Sequence, residues 1–381
     1  MTEKEIGELR RRFRPDRTNI TAVCGCYASG SGEILSTFRQ TYSALSEQEQ
    51  EKYLALFKRV LSGTPDRNRV GLSFRTAQVA DSDEHRLFMR LRDSALADDE
   101  ALNALYAKIL ESYRSEEQFV ILLTHERYDV PMRTKDGGFS ADGDEVFSYV
   151  VCAICPVKQS KEQLSFDADS RCFRLRSAGC AAGAPEVGFL FPAFDGRRTN
   201  LYECLYYTRS AADNHGELAK RLFDLEPPMP ADEQQQTFTG LLSRTLDEQC
   251  SLDVVQAVRE ELSERIAAHK EQKSDEPLVI SREEVGAVLQ QNGVSDEHLA
   301  GFNVRFDEAF GTDAALSPRN LLDTKKVRLK TPDVVIQVNP ERADLVETRI
   351  LGGVPYILIC ADGGVELNGV TLNLEPKQKE D

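Results

Sequence analysis

Two short apolar runs, residues 119–128 and 146–157, dominate the pattern of this chain. Both are rich in β-branched and aromatic residues and nearly free of polar breaks on one side, so they predict a pair of buried central strands. Between them, residues 134–144 hold closely spaced glycines and aspartates, which predicts an exposed connection. A strand also decides the fate of Cys152 and Cys155. Their spacing imitates a redox or half-zinc motif, but side chains three apart in a strand point to opposite faces. The two sulfurs are expected to diverge as buried thiols.

The remaining pattern alternates helices with hairpins. Residues 2–14 predict a helix stopped by Pro15, with Ile6, Leu9 and Phe13 on one face. Residues 21–27 and 33–38 predict two strands around a glycine turn. Ser46 and Glu49 have capping-box spacing ahead of an apolar stripe through Tyr53, Leu54, Phe57, Val60 and Leu61. Residues 70–79 predict a strand, Asp81 or Ser82 caps a following helix, and a third helix carries Leu102, Leu105, Tyr106, Ile109 and Leu110. Beyond the central strands come a hairpin over 164–175, a strand over 187–194 interrupted at Pro192, and a strand or short helix over 200–209. This order predicts an α+β fold: a mixed, largely antiparallel sheet with flanking helices.

Pro227, Pro228 and Pro230 mark residues 227–231 as a linker, dividing an α+β domain, 1–226, from a second part, 232–375. In the second part residues 232–272 are helical, Ser281 opens another helix, and a last one spans 296–310 before Gly311. From residue 325 the period becomes two, predicting a small antiparallel sheet. The chain's net charge is −16, and residues 231–311 carry much of it, with 17 acidic against 7 basic residues.

Length and composition bound the class. With 381 residues, 41% apolar and 29% charged, the chain has material for two folded domains. No apolar run reaches the roughly 20 residues of a membrane span, and the charged N-terminus has no signal-peptide core. The nine cysteines are an odd number, several inside apolar runs, which suits free thiols in a reducing compartment. A cytoplasmic protein is expected, with no membrane partner.

Few residues offer chemistry. Residues 167–171 imitate a calcium loop, but Cys172 stands where glycine is needed and Ala178 where the bidentate glutamate belongs. Glycines at 30–32 and 179–188 lack the lysine and the strand-to-helix setting of a phosphate loop. His85, His125, His215, His269 and His298 are scattered. His125 is delivered to a sheet end, and with Glu126, Asp129 and Asp144 it supplies the alternative of a metal-assisted hydrolase. No catalytic residue, cofactor or metal ligand set is assigned. Arginine is the stronger signal: Arg10, Arg11, Arg12 and Arg14 cluster near the start, and Arg197, Arg198, Tyr206 and Arg209 interleave charge with aromatic rings as single-strand nucleic-acid surfaces do.

Residues 20–27 with their Cys-Gly-Cys, together with 51–58, 128–131, 154–158, 188–195, 227–231, 331–336 and 339–342, closely resemble an uncharacterised bacterial family catalogued as a domain of unknown function. The resemblance spans nearly the whole chain and implies no activity. A second likeness, in order of elements alone, is to the acidic nucleoid-associated proteins of bacteria, and it implies association with the chromosome. The resulting expectation is a non-enzymatic cytoplasmic binding protein, nucleoid-associated, touching nucleic acid or a nucleic-acid-bound partner through the eight residues just named. Besides the hydrolase, the other alternative is a protein-interaction scaffold whose acidic helices dock a basic partner.

Overall fold

A computed structural model describes residues 1–133, 139–140, 145–159, 163–167, 171–176, 179–272, 274, 276–312, 314–321, 323, 326–361, 363–367 and 369–372. Most of the predicted 134–144 connection, Asp144 included, and most of the calcium-like segment lie outside those residues. The chain divides into two compact units, Met1–Glu233 and Gln234–Asp381.

The first unit is built on a sheet. Its elements are α1 (Glu3–Arg10), β1 (Ala22–Ala28), β2 (Ile34–Thr41), α2 (Glu47–Val60), β3 (Arg69–Ser73), α3 (Thr76–Asp81), α4 (Asp83–Asp93), α5 (Asp99–Ser112) and β4 (Gln118–Asp129). After the short β5 (Met132–Arg133) and β6 (Phe139–Ser140) come β7 (Val146–Gln159), β8 (Gln163–Asp167), β9 (Cys172–Arg176), β10 (Cys180–Ala182) and β11 (Val187–Phe191). The unit closes with β12 (Ala193–Asp195), β13 (Arg198–Asn200), β14 (Glu203–Thr208) and α6 (Gly216–Phe223). The main sheet runs β2-β1-β4-β7-β11-β14-β3, with β10 also on β7. All its pairings are antiparallel. The fold is α+β.

β4 and β7 are the predicted central pair, in register from Gln118 opposite Val157 to Asp129 opposite Val146. Both faces of this pair are covered, so neither strand alternates apolar with polar residues. Ile121, Leu123, Val150, Cys152 and Ile154 enter one core with Phe88, Leu105 and Phe223 from α4, α5 and α6. Val120, Leu122, Val151, Ala153 and Cys155 enter the other with Ile6, Leu9, Phe57 and Val60 from α1 and α2. The two sulfurs therefore lie on opposite faces, as strand geometry requires. The Cys-Gly-Cys of β1 obeys the same rule: Cys24 and Cys26 join the first core, while Gly25 lies beneath the Phe38 ring, whose atoms occupy the place of a Cβ.

Two elements end earlier than their patterns predict. α1 stops at Arg10, and the chain continues through turns in which Arg12 N–H donates to Leu9 C=O and Arg14 N–H to Arg12 C=O. The segment is drawn away from the helix axis by an ion pair described below. β3 stops at Ser73 because Gln78 is buried and its side chain accepts from Arg75 N–H at 3.0 Å while donating to Phe223 C=O at 3.3 Å, which closes α3 instead. At both Ser46 and Ser281 the predicted capping boxes form.

The second unit contains α7 (Ala231–Leu246), whose first residues belong to the first unit, then α8 (Leu252–Gln272), α9 (Arg282–Gln291), α10 (Asp296–Phe310) and α11 (Pro318–Leu321). Phe238, Leu246, Leu262, Leu289 and Phe302 centre its core. The C-terminal β segment consists of hairpins β15 (Val327–Lys330) with β16 (Val335–Val338), β17 (Val346–Leu351) with β18 (Val354–Ile359), and β19 (Val365–Leu367) with β20 (Val370–Leu372). None of the described helices is long and apolar enough to cross a membrane.

Packing of α2 on the sheet depends on Gly188 of β11, where an added Cβ would press on the Cys152 carbonyl oxygen and lie 2.8 Å from Val60 Cγ2. The carbonyl belongs to the central strand and cannot yield. Gly188→Ala is expected to destabilise the first unit by about 2 kcal/mol through overpacking, read as a lower urea midpoint at unchanged slope. An unchanged midpoint would contradict this packing.

Candidate functional site

The residues singled out for chemistry meet at the C-terminal half of β4, where parity separates them. His125 follows Ile121 and Leu123 towards the core beneath α4 and α5, and Glu126 follows Val120 and Leu122 towards α1. The two side chains leave the strand on opposite sides and do not share a cleft. Asp129 is exposed at the strand end. Among the described residues no three His, Cys, Asp or Glu side chains are grouped to hold a metal ion.

His125 is buried, and its Nε2 lies 2.8 Å from Ser148 Oγ. Burial, reinforced by the charges of Arg127 and Arg92, lowers its pKa to about 4. The thiols are likewise quiet. Burial raises Cys152 well above the ordinary value and Cys155 to about 12, with no cation opposing it, so neither is a ready nucleophile.

Glu126 has no exposed side-chain surface. Its Oε1 accepts from Arg12 Nε at 3.0 Å, Arg12 Nη2 at 2.9 Å and Asn19 N–H at 3.3 Å, and its Oε2 accepts from Tyr149 OH at 2.9 Å. Burial raises its pKa, and the Arg12 charge and these donors oppose the rise. The Arg12 guanidinium also lies 4.9 Å above the Tyr128 ring. Tyr128 OH donates to Glu8 Oε1 at 2.6 Å, and Glu8 Oε2 accepts from Arg197 Nη1.

Arg197 completes the chain of contacts. It sits with Gly196 in the two-residue turn between β12 and β13, both at positive φ, the arrangement a tight hairpin demands. Its backbone N–H donates to Glu5 Oε1 at 3.1 Å and its Nη2 to Pro131 C=O at 2.8 Å. The turn is thereby held on α1.

The sequence-predicted arginines thus divide by role. Arg12 and Arg197, from distant parts of the chain, are brought to one side of the sheet, but each spends its guanidinium on a carboxylate of the fold. Arg10, Arg11 and Arg14 are exposed around the clamped segment, Arg11 Nε donating to Gly7 C=O at 2.9 Å, and Arg198 is exposed beside the turn. Arg209 is exposed at the opposite end of β14. Tyr206 is 1% exposed: its OH donates to the His215 carbonyl oxygen at 3.3 Å and its ring meets Phe223 edge-on. It belongs to the core because β14 turns Cys204 and Tyr206 towards α6, so its ring offers no face to a base.

Pattern reading missed the Glu126 network and a groove. The signal for the first was present, as an acid in the middle of an apolar strand run demands a partner. The groove, about 980 Å³, lies between α2 and the β2-β1-β4 side of the sheet and is lined in part by Tyr27, Phe38, Tyr53, Leu56, Val120 and Leu122. No sequence pattern marks it, since its lining comes from six elements, β7 and β10 among them.

Fold and site together define an α+β protein in which His125, Glu126, Cys152 and Cys155 of the central strands are buried within the fold. Residues 1–370 match a family described as a domain of unknown function (DUF4317), and the chain belongs to that family. No curated protein matches it.

Arg12→Ala would leave the Glu126 carboxylate buried without its cation, at a cost of about 3 kcal/mol. Adding Glu126→Gln to that variant should recover part of the loss, a coupling that a double-mutant cycle in urea measures. Additive losses would show that the pair is not one unit. For His125, the unfolded chain takes up a proton near pH 6.5 and the folded chain only near 4. The unfolded state binds more protons in that interval, so stability falls as pH drops through it. From about pH 7 to about pH 4 the wild type is expected to lose about 3 kcal/mol more than His125→Gln. Parallel losses in the two proteins would place His125 in water.

Proposed function

We propose that this protein is a non-enzymatic binding protein that contacts nucleic acid through the exposed guanidinium groups of Arg10, Arg11, Arg14 and Arg198. The observation that carries this reading is the seating of the β12–β13 turn on α1 by Arg197, through Glu5 and Glu8. It joins two arginine clusters far apart in sequence on one fixed framework. Arg12, clamped to Glu126, and Phe13, buried, hold the intervening backbone so that its neighbours point outward. Phosphate contacts need such positioning and carry no sequence information, so binding is expected to be indifferent to sequence.

The net charge of −16 sets a limit on this binding. Long-range attraction to a polyanion is weak, and contact depends on local charge within a Debye length. Association with the bacterial chromosome in a reducing cytoplasm is the corresponding cellular role. Tyr206 and Arg209 have no part in this surface.

The test is a titration of the full chain against single- and double-stranded DNA and RNA across a salt series. Affinity should fall linearly in log–log coordinates. A variant carrying Arg10→Ala, Arg11→Ala, Arg14→Ala and Arg198→Ala keeps Arg12 and Arg197, and hence the fold. It should lose most of the affinity, with the slope flattened by roughly 0.7–0.9 for each phosphate contact removed. Absence of binding at low salt, or a variant that binds as the wild type does, would overturn the proposal.

A further inference from the structure

We propose that β17 is a self-complementary edge through which two copies of this chain pair, with a two-fold axis at Thr348. The parity of the β17–β18 ladder decides which backbone groups are outward. Cys360 N–H donates to Leu345 C=O at 2.8 Å, and Val346 lies opposite Ile359. Antiparallel ladders alternate, so the bonds to β18 fall on residues 347, 349 and 351. The N–H and C=O groups of Val346, Thr348 and Ile350 therefore face away from β18; Val346 N–H is taken by Ala343 C=O, and β17 pairs with no other strand among the described residues. On β18 the outward positions are Pro355, Ile357 and Ile359. Pro355 has no N–H, so that edge is blunted. One edge of the hairpin is open and the other is guarded.

The open edge matches itself. Laid antiparallel about Thr348, Glu347 falls opposite the partner's Arg349, and Arg349 opposite the partner's Glu347. Thr348 meets the partner's Thr348, and Ile350 meets the partner's Val346. Each of these is a favourable class of cross-strand pair, and no like charges face each other. The same register lets Thr348 exchange both backbone bonds with the partner's Thr348 and lets Ile350 N–H donate to the partner's Val346 C=O, each bond repeated by the two-fold axis as an isologous contact requires. An axis at Glu347 or Arg349 would set like charges opposite each other, and an axis at Val346 or Ile350 would leave both charges opposite apolar side chains or turn backbone. Thr348 is the one axis that pairs them.

Exposure supplies the drive. Ile350 is 75% exposed and Leu351 50%, on a hairpin whose two strands would be marginal alone. Pairing extends it to four strands and brings Ile350 beside Val346, already buried at the foot of the hairpin. Within one copy Arg349 and Glu347 are salt-bridged at 2.9 Å across two positions of the same strand. Any test must separate that contact from the one between copies.

Two charge reversals do so. Sedimentation velocity of the full wild-type chain over about two decades of concentration should show a monomer–dimer equilibrium. Glu347→Arg alone and Arg349→Glu alone place like charges across the axis, and each should raise the dimer Kd about tenfold or more. Both also break the salt bridge within a copy. Mixed in equal amounts, the two variants present arginine against glutamate at both positions, and a heterodimer with near wild-type Kd should form. A strictly monomeric wild type, variants that dimerise like the wild type, or a mixture that stays monomeric would each overturn the proposal. Pairing of the wild type only with an extended strand of another protein would overturn the self-complementary register as well.

Discussion

The alternation of β4 between two cores is the constraint from which the first unit follows. With helices on both faces, each side chain of the strand is committed by its parity to one layer or the other. His125 goes beneath α4 and α5, Glu126 beneath α1, and two neighbours in sequence become strangers in space. The same rule parts Cys152 from Cys155 in β7, and puts Gly25 on the face away from Cys24 and Cys26. Pairs that suggest joint chemistry when read along the chain are dispersed by the period of two.

A buried carboxylate then creates a demand. Glu126 needs a cation, and Arg12 supplies one through two N–H groups that converge on Oε1, at the expense of helical continuation past Arg10. From there the contacts run through Tyr128 and Glu8 to Arg197, so the N-terminal segment, the central strand and the β12–β13 turn are tied together. The network serves structure in its interior and fixes the positions of the arginines left outside it.

Much of the fold was legible because it depends on local pattern. The central strands, the serine-capped helices at Ser46 and Ser281, the helix over 296–310 and the period-two C-terminal segment all follow from spacing and turn chemistry. The site was legible only in part, for a physical reason. Spacing locates arginines along the chain, but whether a guanidinium faces water or a carboxylate depends on residues more than a hundred positions away, as with Arg12 and Glu126. Tyr206 shows the same limit. Its stretch mixes charge with aromatic rings, yet strand parity turns this ring inward to Phe223 while Arg209 stays in water.

Glu126 faces α1 and holds the segment from Arg12 to Asn19 against the sheet. Native-state hydrogen exchange at the Asn19 amide, which donates to Glu126, reads this directly. In the wild type that amide should be protected. In Arg12→Ala its protection should collapse towards the free-chain rate while the β4 and β7 amides remain protected. An Asn19 amide that exchanges freely in the wild type, or one indifferent to the loss of Arg12, would contradict the account.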